Sequence, residues 1–423
     1  MASKMVISVW GDPERWREVS YEIDGKIYNN QKNSTHVIGE HFDARISVFI
    51  PMSIVDAYGM GKQPEEQVKM AYDHVKKYFP TEDFEITVSP SVGIFKIGEN
   101  AVNFKGKPDL FKIFTFYKLF RMFDKMDDDL EIYADLTYGI NYMTMANYDA
   151  IKLAFSLYCA LKDKKGKIVA MNSDPFTAGN TTIPIKINVI ETLNFDRGIG
   201  VDYIAGELRR KFVVNKFKWS RITGNKNGKE EIDTHEIKAL FLAMNGFGAF
   251  LPCLVKNDQM RLSMEYASST MERFTNSVLS ELDYSSNVYT YRFSFDEGVI
   301  IIFSALKILT MDQFTNSGDL AAAKKLEELS ETQLAQRMAI YLLKEEIEKI
   351  KNLGDRVKDG EFVLYRKLNG RRPVKKPCGL NSRILIAHCA LEMNITYIKK
   401  ENGKIMLGYG ECLNELIRNL KKL

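Results

Sequence analysis

The sequence predicts an α/β amino-terminal half of the Rossmann-like, doubly wound type followed by an all-α carboxyl-terminal half. Two patterns and one interruption point there. Short β-branched runs alternate with helix-length segments over residues 1–190, as parallel strands and crossover helices do. Long amphipathic helical segments fill residues 258–423, and a Gly, Asn and Lys rich turn at Gly224-Asn225-Lys226-Asn227-Gly228 breaks the chain between them. The expected organisation is therefore a sheet domain at 1–190, a connector at 191–257 and a helical domain at 258–423.

The strands of the first half are read at Val6 to Trp10, Ile46 to Ile50, Phe84 to Val88, Glu131 to Leu136, Lys167 to Met171 and Ile183 to Ile190. Each is a short apolar run bounded by turn-forming or charged residues. Helical spacing of apolar residues lies between them at Pro64 to Tyr78, Pro108 to Phe123 and Tyr148 to Leu161. In the second half, Asp319 to Asn352 places Leu326, Leu329, Leu334, Met338, Tyr341 and Leu343 among alternating charges, and its Lys and Glu residues read as a solvated face.

Composition narrows the function classes. The chain has 423 residues, 45% of them hydrophobic, enough for more than one core. Its 59 Lys and Arg against 55 Asp and Glu leave a formal charge of only +4, so any nucleic-acid site must be a local basic patch. The five cysteines, Cys159, Cys253, Cys378, Cys389 and Cys412, are scattered without a CxxC pair, which suggests neither a disulfide framework nor a zinc site and favours a reducing compartment. Met1 to Gly11 has no charged-then-apolar leader pattern. The longest aliphatic stretch, Val299 to Leu306, falls far short of the ~20 residues that span a bilayer, so a cytoplasmic protein without membrane contact is expected.

In an open α/β sheet, ligands bind beyond the carboxyl ends of the strands. Three of those ends are polar here: Gly11-Asp12-Pro13, leading to Trp16 and Tyr21; Thr137-Tyr138-Gly139-Ile140-Asn141-Tyr142; and Asn172-Ser173-Asp174-Pro175. Any one of them alone is an ordinary turn; three on one rim, each with an aromatic nearby or within it, suggest a nucleotide-like ligand. No GxGxxG follows the first strand and no GxxxxGK[ST] occurs, which argues against a dinucleotide or triphosphate site and against a nicotinamide-dependent enzyme.

Asp135-Leu136-Thr137-Tyr138-Gly139-Ile140-Asn141 resembles the D-L-T-H-G-x-N signature of the CARF domains of CRISPR-associated ribonucleases, with Tyr138 where the family usually has histidine. Gly11-Asp12, Ile50-Pro51-Met52-Ser53 and Val19-x-Tyr21-Glu22 resemble the same family. The resemblance implies a cyclic oligoadenylate bound across a homodimer or a dimer-based higher oligomer, the cyclic tetra-adenylate first and the cyclic hexa-adenylate second. It would act as an allosteric activator, with no resident cofactor or metal. Gly11, Asp12, Gly139, Asn141, Asn172, Ser173 and Asp174 would belong to the ligand-binding rim, where backbone N–H groups and hydroxyls such as those of Ser53 and Thr137 suit phosphates, while Trp16, Tyr138 and Tyr142 suit adenines by stacking.

In the second half, Arg383-Ile384-Leu385-Ile386-Ala387-His388 sits where Leu380, Ile384, Ala387 and Leu391 would form one apolar helix stripe. At ~100° per residue, Arg383 and His388 flank that stripe on opposite sides. Packing by the stripe across a two-fold axis would bring both pairs into one cleft. The bland reading is a half-exposed histidine and a surface arginine. The spacing is also the Arg-x4-His motif of HEPN ribonucleases, which this segment resembles, with Ile384 where that family usually has a polar residue, so that Asn381 or Ser382 would supply the supporting contact.

That resemblance implies metal-independent cutting of single-stranded RNA, the ribose 2′-OH attacking the adjacent phosphate to leave a 2′,3′-cyclic end. His388 would be the general acid or base and Arg383 the group that stabilises phosphoryl charge. The basic patch Arg371-Arg372-Pro373-Val374-Lys375-Lys376 would guide the RNA, with Arg371, Arg372, Lys375 and Lys376 on its phosphates. The alternative is a non-catalytic regulator that senses the same ligand and binds DNA or a protein, for which a basic recognition helix would be needed.

Overall fold

The computed structural model describes residues 2–55, 64–81, 83–97, 100–138, 142–175, 183–214, 222–223, 232, 257–310, 321–322, 337–371, 378, 388 and 391–412. The chain divides into two compact units. The first comprises Met1–Asp196, Ile222–Gly224 and Thr270–Ile300, and the second Arg197–Arg221, Asn225–Ser269 and Ile301–Leu423.

The first unit is built on an eight-stranded sheet among the described residues. Its strands are β1 (Ser3–Val9), β2 (Val19–Ile23), β3 (Lys26–Gln31), β4 (Arg45–Pro51), β5 (Glu85–Ser89), β8 (Leu130–Asp135), β9 (Gly166–Ser173) and β10 (Ile185–Phe195), in the order β3-β2-β10-β9-β8-β1-β4-β5. From β9 to β5 all neighbours are parallel, with Val6 opposite both Ile46 and Tyr133. Val6, Ile7, Val48, Phe49, Ile50, Ile132 and Ala134 are wholly buried, as continuous apolar runs should be in strands covered on both faces. The chain moves from β1 to β4 and β5 on one side, then to β8 and β9 on the other. The strand order thus reverses between β1 and β8, where such sheets open a binding crevice.

The helices of this unit include α1 (Ser34–Phe42), α2 (Pro64–Tyr78), α3 (Asp109–Asp124) and α4 (Tyr142–Lys162). The stretch read as a connector begins inside β10 and continues as α5 (Arg197–Val214). A second sheet pairs the hairpin of β6 (Gly93–Ile97) and β7 (Asn100–Lys105) with the distant hairpin of β11 (Leu282–Ser285) and β12 (Val288–Tyr291), Phe104 stacking on Tyr289 at 4.4 Å.

The second unit holds α8 (Arg337–Gly354) and the short α9 (Tyr365–Leu368); between the numbered pieces the chain also forms α6 (Asn257–Ser277) and α7 (Gly298–Leu309). Alongside the expected helices it carries a four-stranded sheet that the sequence reading lacked, β13 (Ala321–Ala322), β14 (Phe362–Leu364), β15 (Tyr397–Glu401) and β16 (Lys404–Gly408). Asn402 and Gly403, at φ +54° and +73°, close the β15–β16 hairpin in the left-handed geometry that an Asn-Gly pair adopts readily.

The expectation that the cysteines form no disulfide is corrected here. Cys378 and Cys412 are bonded, their Cα atoms 5.1 Å apart across 34 residues. The β15–β16 hairpin and the turn over Gly410–Cys412 return the chain to Cys378, a closure that linear spacing does not reveal. The argument for a reducing compartment from unpaired cysteines goes with it. Cys159 is free and buried. Among the described residues no helix is long and apolar enough to cross a membrane.

Candidate ligand cavity and catalytic histidine

At the carboxyl end of β8, Asp135 is 1% exposed and organises the crevice. Its Oδ2 accepts hydrogen bonds from Ser34 Oγ at 2.8 Å and Thr35 Oγ1 at 2.6 Å, at the first turn of α1, and its Oδ1 accepts the Thr137 N–H at 3.0 Å. Thr35 Oγ1 also takes the Trp10 Nε1–H at 2.9 Å. One buried carboxylate thus ties the start of α1 to the loop that follows β8, and Thr137 passes the restraint on by accepting the Ser173 N–H at 3.1 Å.

Beyond this anchor lies a cavity of about 410 Å³. Of the residues predicted from sequence, it brings together Trp16, Thr137, Tyr138, Asn172, Ser173 and Asp174. Arg15, Arg17, Val19, Tyr21, Pro175 and Ile185 complete the wall. Trp16 lies against Tyr138 at 4.6 Å between ring centroids, and Tyr138 Oη and Tyr21 Oη share a 2.5 Å hydrogen bond. Burial pushes the Tyr21 phenol up to about 12 and raises Tyr138 as well, so both remain neutral hydrogen-bonding groups at physiological pH. Asp174 accepts a hydrogen bond from Asn188 Nδ2 at 2.7 Å, and Arg15 and Arg17 are the cations of the lining.

Four predicted contacts lie elsewhere. Gly11 does not line the cavity, and Asp12 caps the turn Pro13–Arg15 while meeting His74 Nε2 of α2 at 2.8 Å. Ser53 is buried beneath the sheet end, where its N–H donates to Ser91 Oγ. Tyr142 turns away, its hydroxyl accepting the Val92 N–H at 3.0 Å, so it offers no stacking face to this cavity. Gly139 and Asn141 lie outside the described residues. Arg15 and Arg17 were missed although they flank a tryptophan, the interleaving of cation and aromatic that suits a nucleotide. Among the described residues, Asp12, Glu14 and His74 present ligand atoms within 4.8 Å of one another, but the Asp12–His74 bond and the 3.7 Å approach of Arg15 to Asp12 already account for that group.

In the second unit, α8 turns Leu343, Ile347 and Ile350 inward, and Glu346 falls on the same buried stripe with its side chain 8% exposed. Tyr341, read as part of the apolar face, is 72% exposed. Glu346 Oε1 lies 3.1 Å from His388 Nδ1 and 3.0 Å from Lys349 Nζ. His388 itself is 38% exposed at its side chain. Close in sequence, buried Glu392 accepts the Asn394 N–H at 2.9 Å, and Asn394 Oδ1 accepts from Arg366 at 2.6 Å; burial raises the Glu392 carboxyl above its ordinary range. Arg371 is exposed. Asn381, Ser382, Arg383, Arg372, Lys375 and Lys376 lie outside the described residues, as does the helix expected around them.

A cavity at the switch point of an α/β sheet and, in the other unit, a half-exposed histidine beside a buried carboxylate give the chain two separate candidate sites. The family model for the CARF domain of the CRISPR system endoribonuclease Csx1 matches residues 5–175, and that for its HEPN domain matches residues 336–411. The chain belongs to the CARF–HEPN ribonuclease family of CRISPR systems. The CRISPR system endoribonuclease Csx1 of Methanocaldococcus jannaschii is 25% identical over 438 aligned positions, which cover 96% of this chain and 89% of that protein. The solved structure of Enterococcus italicus Csm6 bound to cyclic hexa-2′-fluoro-hexa-dAMP aligns over the full length of both chains at 12% identity and a TM-score of 0.29, a likeness too slight to bear on fold or ligand.

Proposed function

We propose that this protein is an endoribonuclease for single-stranded RNA that a cyclic oligoadenylate switches on, acting in CRISPR antiviral defence. The observation that carries the reading is the cavity at the switch point: the signature residues Thr137 and Tyr138 line it with Trp16, Arg15 and Arg17, inside the segment that matches the CARF model. Stacking surfaces beside guanidinium groups suit adenines joined by phosphates. A volume of about 410 Å³ holds part of a ring, which fits a ligand shared by two subunits of a homodimer.

His388 falls within the segment that matches the HEPN model. In the reaction the 2′-OH attacks the neighbouring phosphorus while the 5′-oxygen of the next nucleotide leaves. His388 Nε2 exchanges the proton, Arg383 stabilises the charge on the phosphoryl oxygens, and the products are a 2′,3′-cyclic phosphate and a 5′-hydroxyl. Asn381 or Ser382 supports Arg383, and the patch from Arg371 to Lys376 guides the strand. Every step is proton transfer and charge stabilisation by side chains, so no metal is required.

The test is cleavage of a fluorescent single-stranded RNA in EDTA, with and without a panel of cyclic oligoadenylates, for the wild type and His388→Ala. Cutting that depends on ligand, withstands chelation and is lost in the variant supports the reading. A wild type that cuts nothing under any ligand refutes it and leaves the non-catalytic regulator.

A further inference from the structure

The bond between His388 and Glu346 specifies more than proximity. Lys349 Nζ, which can only donate, lies 3.0 Å from the same Glu346 Oε1 that meets His388 Nδ1 at 3.1 Å. That oxygen therefore acts as an acceptor, and a hydrogen bond to it from the ring needs the imidazole proton on Nδ1. Lys349 is in turn anchored by Glu345 at 2.8 Å, so the oxygen has a second fixed partner. Glu346 occupies a position of α8 that faces the core, one turn from Leu343 and one from Ile350, and is itself nearly wholly buried, whereas His388 is 38% exposed. A rigid carboxylate beneath a more open imidazole presents the opposite ring nitrogen, Nε2, outward.

We propose that Glu346 is a positioning residue of the ribonuclease site: it holds His388 in the Nδ1–H tautomer and makes Nε2 the nitrogen that exchanges the proton with RNA. The inference rests on the nuclease reading above. A carboxylate also favours the imidazolium that forms when His388 takes the 2′-OH proton, so its charge as well as its geometry would act. With Gln at 346 the amide can turn its N–H₂ toward Nδ1 and select the wrong tautomer, and the charge is lost in either orientation.

The experiment measures RNA cleavage by the full chain at saturating activator for the wild type, Glu346→Gln, Glu346→Asp and His388→Ala, with kcat and KM separated for each, together with ¹⁵N spectra of the histidine ring in the wild type. Expected for Glu346→Gln is a fall in kcat of about 10²-fold or more, the cost of a misoriented or mis-tautomerised catalytic histidine. KM for RNA and affinity for the activator should stay within about threefold, because Glu346 would act through His388 and not on the RNA or the activator. Glu346→Asp should recover part of kcat. If His388→Ala cuts as well as the wild type, the nuclease reading itself fails. If His388→Ala is inactive while Glu346→Gln keeps wild-type kcat, or loses kcat only together with its binding of RNA or activator, the positioning role is overturned and that reading stands. A wild-type spectrum with the proton on Nε2 of His388 overturns it too, independently of how any variant folds.

Discussion

Asp135→Ala should destabilise the sensor domain far more than an ordinary surface change, and the structure gives the size of the effect. The carboxylate accepts three hydrogen bonds, from Ser34 Oγ, Thr35 Oγ1 and the Thr137 N–H, in a place where the residue is 1% exposed. Alanine leaves two hydroxyls and one backbone N–H there without this acceptor. Bonds to a charged group are worth roughly 1.5–3 kcal/mol each, but hydroxyls reorient and water can enter the space vacated, so a net cost of about 4 kcal/mol is reasonable. For a domain of this size that corresponds to a fall of roughly 8–16 °C in Tm. Asp135→Asn keeps one acceptor and gives the hydroxyls a donor, so about 1–2 kcal/mol is expected. Thermal unfolding followed by near-ultraviolet circular dichroism measures both. A Tm for Asp135→Ala within about 2 °C of the wild type would refute the view that this carboxylate ties α1 to the ligand loop.

The other predictions concern ligand, charge and covalent closure. Trp16→Ala removes the ring that faces Tyr138 at 4.6 Å, and the lost stacking of about 1–3 kcal/mol should weaken activator binding roughly 5- to 150-fold in a fluorescence titration, while maximal cleavage at saturation is kept. Asp149 is pushed up by burial but pulled further down by Lys112 at 3.3 Å and Lys152 at 3.0 Å, so its carboxyl ends below the ordinary value. A depressed carboxylate adds stability above its unfolded pKa and loses it as pH falls through the folded value. Because Asp149 is half-exposed, Asp149→Asn should cost on the order of 1 kcal/mol at pH 7 and progressively less as the pH falls below the ordinary carboxylate range, and a cost that does not shrink on acidification in urea titrations would contradict the assignment. Opening the Cys378–Cys412 bridge with a reductant, or by Cys412→Ser, should lower stability by roughly 4 kcal/mol, the loop-closure value for 34 residues. Chemical denaturation of the wild type with and without reductant checks this, and unchanged midpoints would mean that the bridge closes nothing of consequence.

What could be read from the sequence follows a physical divide. The central strands that are predicted, at Ile46 to Ile50 and Glu131 to Leu136, are mostly buried and announce themselves as apolar runs, whereas the strand read at Ile183 to Ile190 is largely exposed; helix Pro64–Tyr78 is legible from its apolar spacing. The hairpins were overlooked because their strands are half-exposed and polar, although Asp24-Gly25 and Asn402-Gly403, both at positive φ, mark two of them plainly. Rim residues were found where they belong to a turn after a strand, as Thr137 does, or to the last residues of the strand itself, as Asn172 and Ser173 of β9 do. Arg15 and Arg17 escaped because a turn motif says nothing of side chains that arrive beside it. Glu346 is the deeper case. A glutamate in a helix full of Lys and Glu looks solvated, and only its register with Leu343 and Ile350 sets it apart. A carboxylate on a core-facing stripe costs free energy unless something charged or hydrogen-bonding meets it, so its presence there implies a partner. The sequence pattern could therefore have predicted that Glu346 has a partner, but not that the partner is His388, 42 residues further along the chain.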